Sequence, residues 1–170
     1  MNIFYLDEDP LNCAKMHCDK HVVKMILEYA QILSTAWHET REKRSSPIEG
    51  LYKSTHKNHP STVWARKSID HYEWLSRMWG YLLDEYEERY KKDHKTGGLH
   101  WKLMNAPPRL IVDGWEPPPQ CMPNMYKADC TVSAYRSYYN GDKSAFAAWK
   151  FSPTPAWWNP NNASIRTAAT

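Results

Sequence analysis

The chain has 170 residues, of which 42% are hydrophobic and 24% are charged; this composition excludes a disordered chain and predicts a globular protein. The formal net charge of +3 permits a nucleic-acid partner but is smaller than that of most proteins that bind polyanions by charge alone. No apolar run approaches the roughly 18 residues of a membrane-spanning helix, so no membrane association is expected.

Trp and Tyr are unusually abundant, with nine and eleven residues against three Phe. Their rings have flat apolar faces and polar tips, so they serve both in cores and as platforms on which bases stack. The four cysteines show no CxxC spacing, and the N-terminus does not resemble a secretory signal. We therefore expect reduced thiols and a cytoplasmic protein, in the host cytoplasm if a phage encodes it.

The first predicted helix begins at Asp9-Pro10, where Asp9 can cap and proline suits the first turn, and runs to about Trp37 or Thr40. Helical periodicity separates an apolar side from a polar side over this range. Two imidazoles, two amines and a carboxylate share the polar side: His17, Lys20, His21, Lys24 and Glu28. This combination suits an anionic ligand and proton transfer, although an ordinary solvated face is the alternative.

The second informative stretch is Lys57-Asn58-His59-Pro60. Asn58 or His59 is predicted to cap a helix that Pro60 opens, and the free N–H groups of a first helical turn favour a phosphate. The residues predicted to contact nucleic acid around this helix entry are His56, Lys57, Asn58, His59, Trp64 and Arg66.

Later segments complete an all-α prediction. A core helix is predicted from Asp70 to about Lys92, with Gly97-Gly98 ending it, and shorter helices are predicted over 131–139 and 143–150. Residues 106–129 contain six prolines and are predicted to form a strap over the core. We expect a compact bundle of about four to six helices in one domain, 1–158, followed by an extended, flexible tail, 159–170.

Three kinds of function fit the polar face of the first helix. A lysine whose pKa is depressed by a neighbouring amine can attack a sugar carbon, with His21 as proton shuttle and Glu28 stabilising positive charge. A metal-dependent hydrolase would use His17, His21 and His59, but Lys20 and Lys24 would repel the cation, so no metal or other cofactor is expected. A non-catalytic module would hold phosphates with the same amines and stack bases on aromatic rings.

Two stretches resemble a known family. The chain resembles the pyrimidine-dimer DNA glycosylases, the endonuclease V family of phages and prokaryotes, in two places. One is the stretch from Tyr52 to Arg66, which contains the KNHP motif, and the other is the long helix that ends in Glu87-Glu88-Arg89-Tyr90. The first helix lies where that family places its catalytic helix. The whole chain also resembles tailed-phage proteins that share the CDKHVVKM core, Cys18 to Met25.

The resemblance implies a small all-α enzyme that binds duplex DNA, flips a base and cleaves its glycosidic bond. In the family, a free N-terminal amine is the nucleophile, a glutamate assists it and arginines hold phosphates. This chain departs from the family pattern at each of these points. Asn2 is bulky enough that we expect Met1 to be retained. His21 lies near the position of the family's glutamate, and Lys20 and Lys24 lie near the positions of its arginines. The phosphate-binding role carries over more readily than the lyase mechanism.

The sequence thus favours a monomeric, phage-type glycosylase acting on damaged or modified bases in duplex DNA, with or without lyase activity. His21, Lys20 and Lys24 would be central, supported by Glu28 and His17. A non-catalytic phage protein that binds a host nucleic acid or protein, and the metal-dependent hydrolase, remain the alternatives. The enzymatic interpretation requires both imidazoles and both amines to converge on one concave surface.

Overall fold

The all-α prediction is confirmed by the computed structural model, which describes residues 1–42 and 46–162. Within these ranges there are six α-helices and no β-strand. The helices are α1 Pro10–Met16, α2 Asp19–Glu39, α3 Pro60–Ala65, α4 Ile69–Tyr90, α5 His100–Leu103 and α6 Thr131–Asn140, with short 3₁₀ turns at Lys95–Leu99, Asn124–Tyr126 and Pro160–Asn162. In the described part of the chain, no helix has the length and apolarity needed to cross a membrane.

The predicted continuous first helix is wrong, because the chain leaves the helical conformation at His17 and Cys18. Both residues are extended, with ψ values of 131° and 160°. Distant groups satisfy the backbone there: the Asp19 N–H donates to the Ala148 carbonyl at 2.9 Å. The Arg89 guanidinium donates to the carbonyls of Lys15 and His17 at 2.9 and 2.7 Å. Because these backbone N–H and carbonyl groups are hydrogen-bonded to distant residues, the helix can be interrupted here without leaving them unsatisfied.

The core is formed where the N-terminal segment, α2 and α4 pack together. Residues 3–6, which are all apolar or aromatic, are buried. The largest fully buried side chains include Tyr29 and Ile32 from α2, Tyr72 and Trp79 from α4, and Tyr135 and Tyr139 from α6. Aromatic rings therefore fill much of the interior, as expected from their abundance.

The predicted starts of α3 and α4, and the predicted end of α4 at about Lys92, agree closely with the structure, whereas the assignment of Gly97-Gly98 as the residues that end α4 is wrong. His59 caps α3, with its ring Nδ1 accepting from the Ser61 N–H at 3.1 Å, and Ser68 caps α4. The long helix ends because Lys91 adopts the left-handed conformation, with φ of 55°. Gly97 and Gly98 lie further on, in the 3₁₀ turn.

The proline-rich stretch lies over α3, α4 and α6, as predicted for a strap. The Glu116 backbone accepts from Trp64 Nε1 at 2.9 Å and donates to His71 Nε2 at 3.0 Å. The Tyr135 hydroxyl donates to the Pro119 carbonyl at 2.6 Å. These bonds hold the strap although it contains almost no regular structure.

The predicted last helix, Lys143 to Lys150, is wrong. Residues 141–146 form consecutive turns and the following residues are irregular. Asp19 explains the difference, because its carboxylate accepts from the Lys150 N–H at 2.8 Å while its own N–H binds Ala148. These two bonds fix the segment to the start of α2. Trp157 and Trp158 pack against Trp149, and the predicted tail lies outside the described residues from 163 onward.

Candidate functional site

The exposed side of α2 carries the two predicted lysines. Lys20 and Lys24 are exposed, and the Lys24 ammonium lies 3.6 Å from the carboxylate of Glu28. The Glu28 side chain is 24% exposed, so its carboxylate is partly shielded yet reachable from solvent. Lys20, Lys24 and Glu28 are called the α2 ridge below.

His21 lies beneath this ridge and does not share its polar surface, which corrects the predicted wet face. It is only 4% exposed; its ring stacks on Phe4 at a centroid distance of 4.3 Å, and Nδ1 is 2.6 Å from the Tyr139 hydroxyl. Burial, together with the charges of His17, Lys143 and Lys24, lowers the pKa of His21 to about 2. The imidazole is therefore neutral at physiological pH, and the predicted proton shuttle near neutral pH does not fit this environment.

His17 is fully buried, so its predicted place on a wet face is also wrong. Nδ1–H donates to the Cys13 carbonyl at 2.8 Å, and Nε2 accepts from the Tyr29 hydroxyl at 2.8 Å. The same hydroxyl accepts from the Phe4 N–H at 3.2 Å. Burial is the largest cause that lowers the pKa of His17 to about 4. This histidine ties the N-terminal segment to the break between α1 and α2.

The metal-dependent alternative receives no support from these contacts. Both ring nitrogens of His17 are hydrogen-bonded within the protein. Within residues 1–42 and 46–162 there is no group of three or more His, Cys, Asp or Glu side chains that could hold a metal ion.

A third amine, from Lys143, joins the two on α2, and the sequence analysis missed it. Its ammonium lies 4.7 Å from the ring centroid of Tyr138 and 6.0 Å from that of Phe4. Lys20 and Lys143 both lie over the ring of Phe146, at 5.3 and 5.8 Å from its centroid. The amines thus surround the aromatic rings that cover His21. No motif marks Lys143, and only the fixed return of residues 148–150 to α2 places it there.

The loop before α3 is held against α2 by paired threonines. The Thr35 hydroxyl donates to the Thr55 carbonyl at 3.3 Å and accepts from the Thr55 N–H at 3.1 Å. His56 follows in the left-handed region, with φ of 46°, a conformation that costs energy for a residue with a Cβ atom. The side chains of His56, Lys57 and Asn58 are exposed.

Arg66 and Trp64 take structural positions in this region. Arg66 Nη2 donates to the Lys57 carbonyl at 2.6 Å, which connects the end of α3 to the loop that precedes it. Trp64 is only 4% exposed and stacks on His71 at 4.5 Å, nearly parallel to it. The predicted contact of Trp64 with a nucleic-acid base is therefore not available in this structure.

The N-terminal segment is fixed against α2. The Phe4 N–H donates to the Tyr29 hydroxyl at 3.2 Å, and the ring of Phe4 stacks on that of His21 at 4.3 Å. Burial, the largest cause, and the charges of the Met1 amino group and His56 lower the pKa of His59.

The prediction that both imidazoles and both amines converge on one concave surface is met only by the amines. Lys20, Lys24 and Lys143 surround one surface, but the two imidazoles lie below it, and the main described clefts are elsewhere on the molecule. A shared concave surface for two imidazoles and two amines is therefore wrong. What remains is a basic surface with one partly shielded carboxylate.

Comparison with known proteins identifies one family. A family model described as pyrimidine dimer DNA glycosylase matches residues 1–97, a range that includes α1 to α4 and every predicted site residue. No curated protein and no solved structure matches the chain. Lys143 and the strap lie outside the matched range.

Proposed function

The chain belongs to the pyrimidine dimer DNA glycosylase family, and we propose that it excises dimerised or otherwise damaged pyrimidines from duplex DNA at the α2 ridge. The family match over residues 1–97 is the observation that carries the proposal, because that range contains both predicted groups of site residues. Further parts of the proposal are a monomeric state, a phage origin and a cytoplasmic location.

DNA binding is assigned to the amines. Lys20, Lys24 and Lys143 contact phosphates beside the lesion, because exposed ammonium groups neutralise phosphate charge and release counterions. His56, Lys57 and Asn58 extend this surface, and His59 and Arg66 hold the loop that presents them. Since phosphate contacts fix register and not sequence, a lesion-specific enzyme can use them on any DNA.

The chemistry is assigned to an amine and to Glu28. The amine attacks C1′ of the damaged nucleotide, and the electrons of the glycosidic bond leave with the base, which takes up a proton. Loss of the amine proton and opening of the sugar ring then give an imine. Glu28 stabilises the positive charge that develops on the sugar during this displacement. Lyase activity would follow by β-elimination, which breaks the C3′–O bond.

His21 and His17 are assigned positioning roles. Neutral His21 supports the ring of Phe4, and His17 holds the backbone of the same residue through Tyr29. Both histidines thereby fix the N-terminal segment next to the ridge. Neither is required to change its protonation state during the reaction.

The test is cleavage of an end-labelled duplex that carries one cyclobutane thymine dimer, with and without borohydride. We expect an alkali-labile abasic site at the dimer and a trapped covalent adduct with damaged DNA only; the cleaved base stays attached to its neighbour through the cyclobutane ring, and mass spectrometry of the adduct identifies the reacting amine. Glu28→Gln should reduce glycosidic-bond cleavage, measured as alkali-labile sites, by about 10²-fold or more while DNA affinity is kept. Glu88→Gln, a side chain on α4 that is 76% exposed, is the matched control.

Two results would count against the proposal. Absence of alkali-labile sites in dimer-containing DNA treated with the pure protein would remove the glycosylase activity. Tight DNA binding without glycosidic-bond cleavage would instead favour a non-catalytic DNA-binding protein. Glycosidic-bond cleavage without an adduct would keep the glycosylase and replace the attacking amine with water.

A further inference from the structure

A second surface, independent of the α2 ridge, is formed where the N-terminal segment, the start of α4 and the strap meet. It is a cleft of about 400 Å³ lined by three aromatic residues, Tyr5, Trp74 and Trp115, and by three carboxylates, Glu8, Asp70 and Glu73. None of these residues belongs to the proposed DNA-binding surface. The proposed function gives this cleft no task.

The half-buried ring of Trp74 and the exposed ring of Trp115 form a corner that a ligand can reach, and Tyr5, only 3% exposed, packs against both of them. Their centroids are 5.0 Å apart for Tyr5 and Trp74, 6.3 Å for the two tryptophans and 6.5 Å for Tyr5 and Trp115, and the ring planes are inclined to one another by 43° to 55°. With a separation of 6.3 Å between the two tryptophan centroids, a cation placed between these rings lies within about 6 Å of both, the range of cation–π attraction.

The rings are fixed before any ligand arrives. Trp74 Nε1 donates to the Glu8 carbonyl at 2.8 Å. Trp115 is 45% exposed, yet it packs edge-on against Trp64 and His71, and its neighbour Glu116 is bonded to both of these residues. A preformed aromatic corner loses little conformational freedom on binding.

The charge around the corner selects the sign of the ligand. Glu8, Asp70 and Glu73 have no cationic nitrogen within 4.0 Å among the described residues. Burial and the negative charge of Glu8 raise the pKa of Tyr5 to about 12, as expected where the local potential is negative. Arg77 is the one basic residue that lines the cleft. This excess of carboxylates repels a phosphate group and attracts a cation.

We propose that this cleft binds an organic cation whose charge is surrounded by alkyl groups, of the quaternary or methylated ammonium class. Aromatic faces supply cation–π attraction and contact with the methyl groups, while the carboxylates supply long-range attraction. Such a cation is weakly hydrated and loses little when it enters a partly apolar cleft. The base of a nucleotide would use the same rings, but the phosphate of that nucleotide is repelled by the three carboxylates.

The test uses choline chloride as the probe and 3,3-dimethylbutan-1-ol, its uncharged isostere, as the comparison, at constant ionic strength. Binding is followed by NMR through the indole N–H signals of Trp74 and Trp115. We expect saturable shifts with choline and none with the alcohol. Trp115→Ala should weaken choline binding about tenfold, and Arg77→Gln should tighten it because a competing positive charge is removed.

The controls separate a specific site from a general effect. Trp101→Ala removes a tryptophan that is 69% exposed and lies outside the cleft, and it should bind choline as the unmodified protein does. Glu73→Gln, an exposed change that should not disturb folding, should weaken choline binding even if Trp115→Ala fails to fold. Equal binding of the alcohol, or no saturable shift, would overturn the proposal. Glycosylase activity has no part in this experiment, so the two proposals fail independently.

Discussion

His17 is held in its neutral form because its partners fit only that form. The Cys13 carbonyl requires a proton on Nδ1, while the Tyr29 hydroxyl, which already accepts from Phe4, donates its own proton to Nε2. A second ring proton would face this hydroxyl proton inside a fully buried site. Burial, the largest cause, and the positive charge of Arg89 lower the pKa of His17 to about 4, and the fixed hydrogen-bond direction disfavours the charged form as well.

This arrangement predicts loss of stability on mild acidification. The folded pKa of about 4 is below the ordinary value of 6.5, so between these pH values the unfolded chain binds a proton that the folded protein does not. The free energy of unfolding should therefore fall as pH falls from 6.5 toward 4, by on the order of 3 kcal/mol from His17 alone. Urea unfolding at a series of pH values measures it.

His17→Gln provides the comparison for this prediction. It should be less stable than the unmodified protein at pH 7.5 because a buried network is broken, yet its stability should depend less on pH between 6.5 and 4. His38→Gln, a change at a half-buried residue, should keep most of the original pH dependence. An equal pH dependence in His17→Gln and the unmodified protein would contradict the assignment.

At the residue scale, the sequence indicates which side chain needs a hydrogen-bonding or ionic partner, but it does not identify the residue that supplies it. Asp19 falls at the edge of the apolar side of the predicted first helix, and a half-buried carboxylate needs a partner. The structure supplies Arg89, at 3.2 Å, and the Lys150 N–H. Both are more than 69 residues away along the chain, so neither local spacing nor helical periodicity could have identified them.

At the element scale, signals contained within a few residues were predictive. Asp9-Pro10 and His59-Pro60 mark helix starts through their own side chains, and both helices begin there. The break at His17-Cys18 contains no glycine or proline from which it could have been predicted. It depends on Arg89 and Ala148, which reach the backbone only after the chain has folded. The break separates His17 from α2, whereas His21 lies on the same helix as Lys24 and Glu28. His21 is buried because Phe4, Tyr139 and Phe146 pack against it.

The end of α4 gives a prediction at the same scale. Lys91 occupies the left-handed position after the last turn, with φ of 55°, where glycine is favoured because it has no Cβ atom. Lys91→Gly should raise the free energy of unfolding by about 1 kcal/mol, measured by urea or thermal unfolding. The lost ion pair to Glu88 is exposed on both sides and contributes little.

Lys92→Gly is the matched control, since Lys92 has no positive φ in the described structure. Glycine there should destabilise the protein by up to about 1 kcal/mol because it increases only the freedom of the unfolded chain. If both glycine variants changed stability in the same direction and by the same amount, the strain assigned to Lys91 would be wrong.

At the scale of the whole molecule, the modest net charge of +3 conceals two separate surfaces of opposite sign. Lys20, Lys24 and Lys143 surround one, and Glu8, Asp70 and Glu73 line the other. Net charge from the sequence underestimated the basic surface, because the carboxylates that offset it are placed elsewhere. Lys143 joined the basic surface only through the course of the C-terminal segment.

This separation predicts how DNA binding depends on salt, given the proposed function. Each phosphate contact on duplex DNA adds about 0.9 to the slope of log affinity against log salt concentration. The double variant Lys20→Ala, Lys24→Ala should therefore weaken binding and reduce the slope by about 2, and Lys143→Ala by about 1, in fluorescence anisotropy titrations between 50 and 200 mM salt. Arg77→Gln, in the acidic cleft, should leave the slope unchanged. If the lysine variants kept the original slope while Arg77→Gln reduced it, DNA would bind on the opposite surface and the α2 ridge would lose its assigned role.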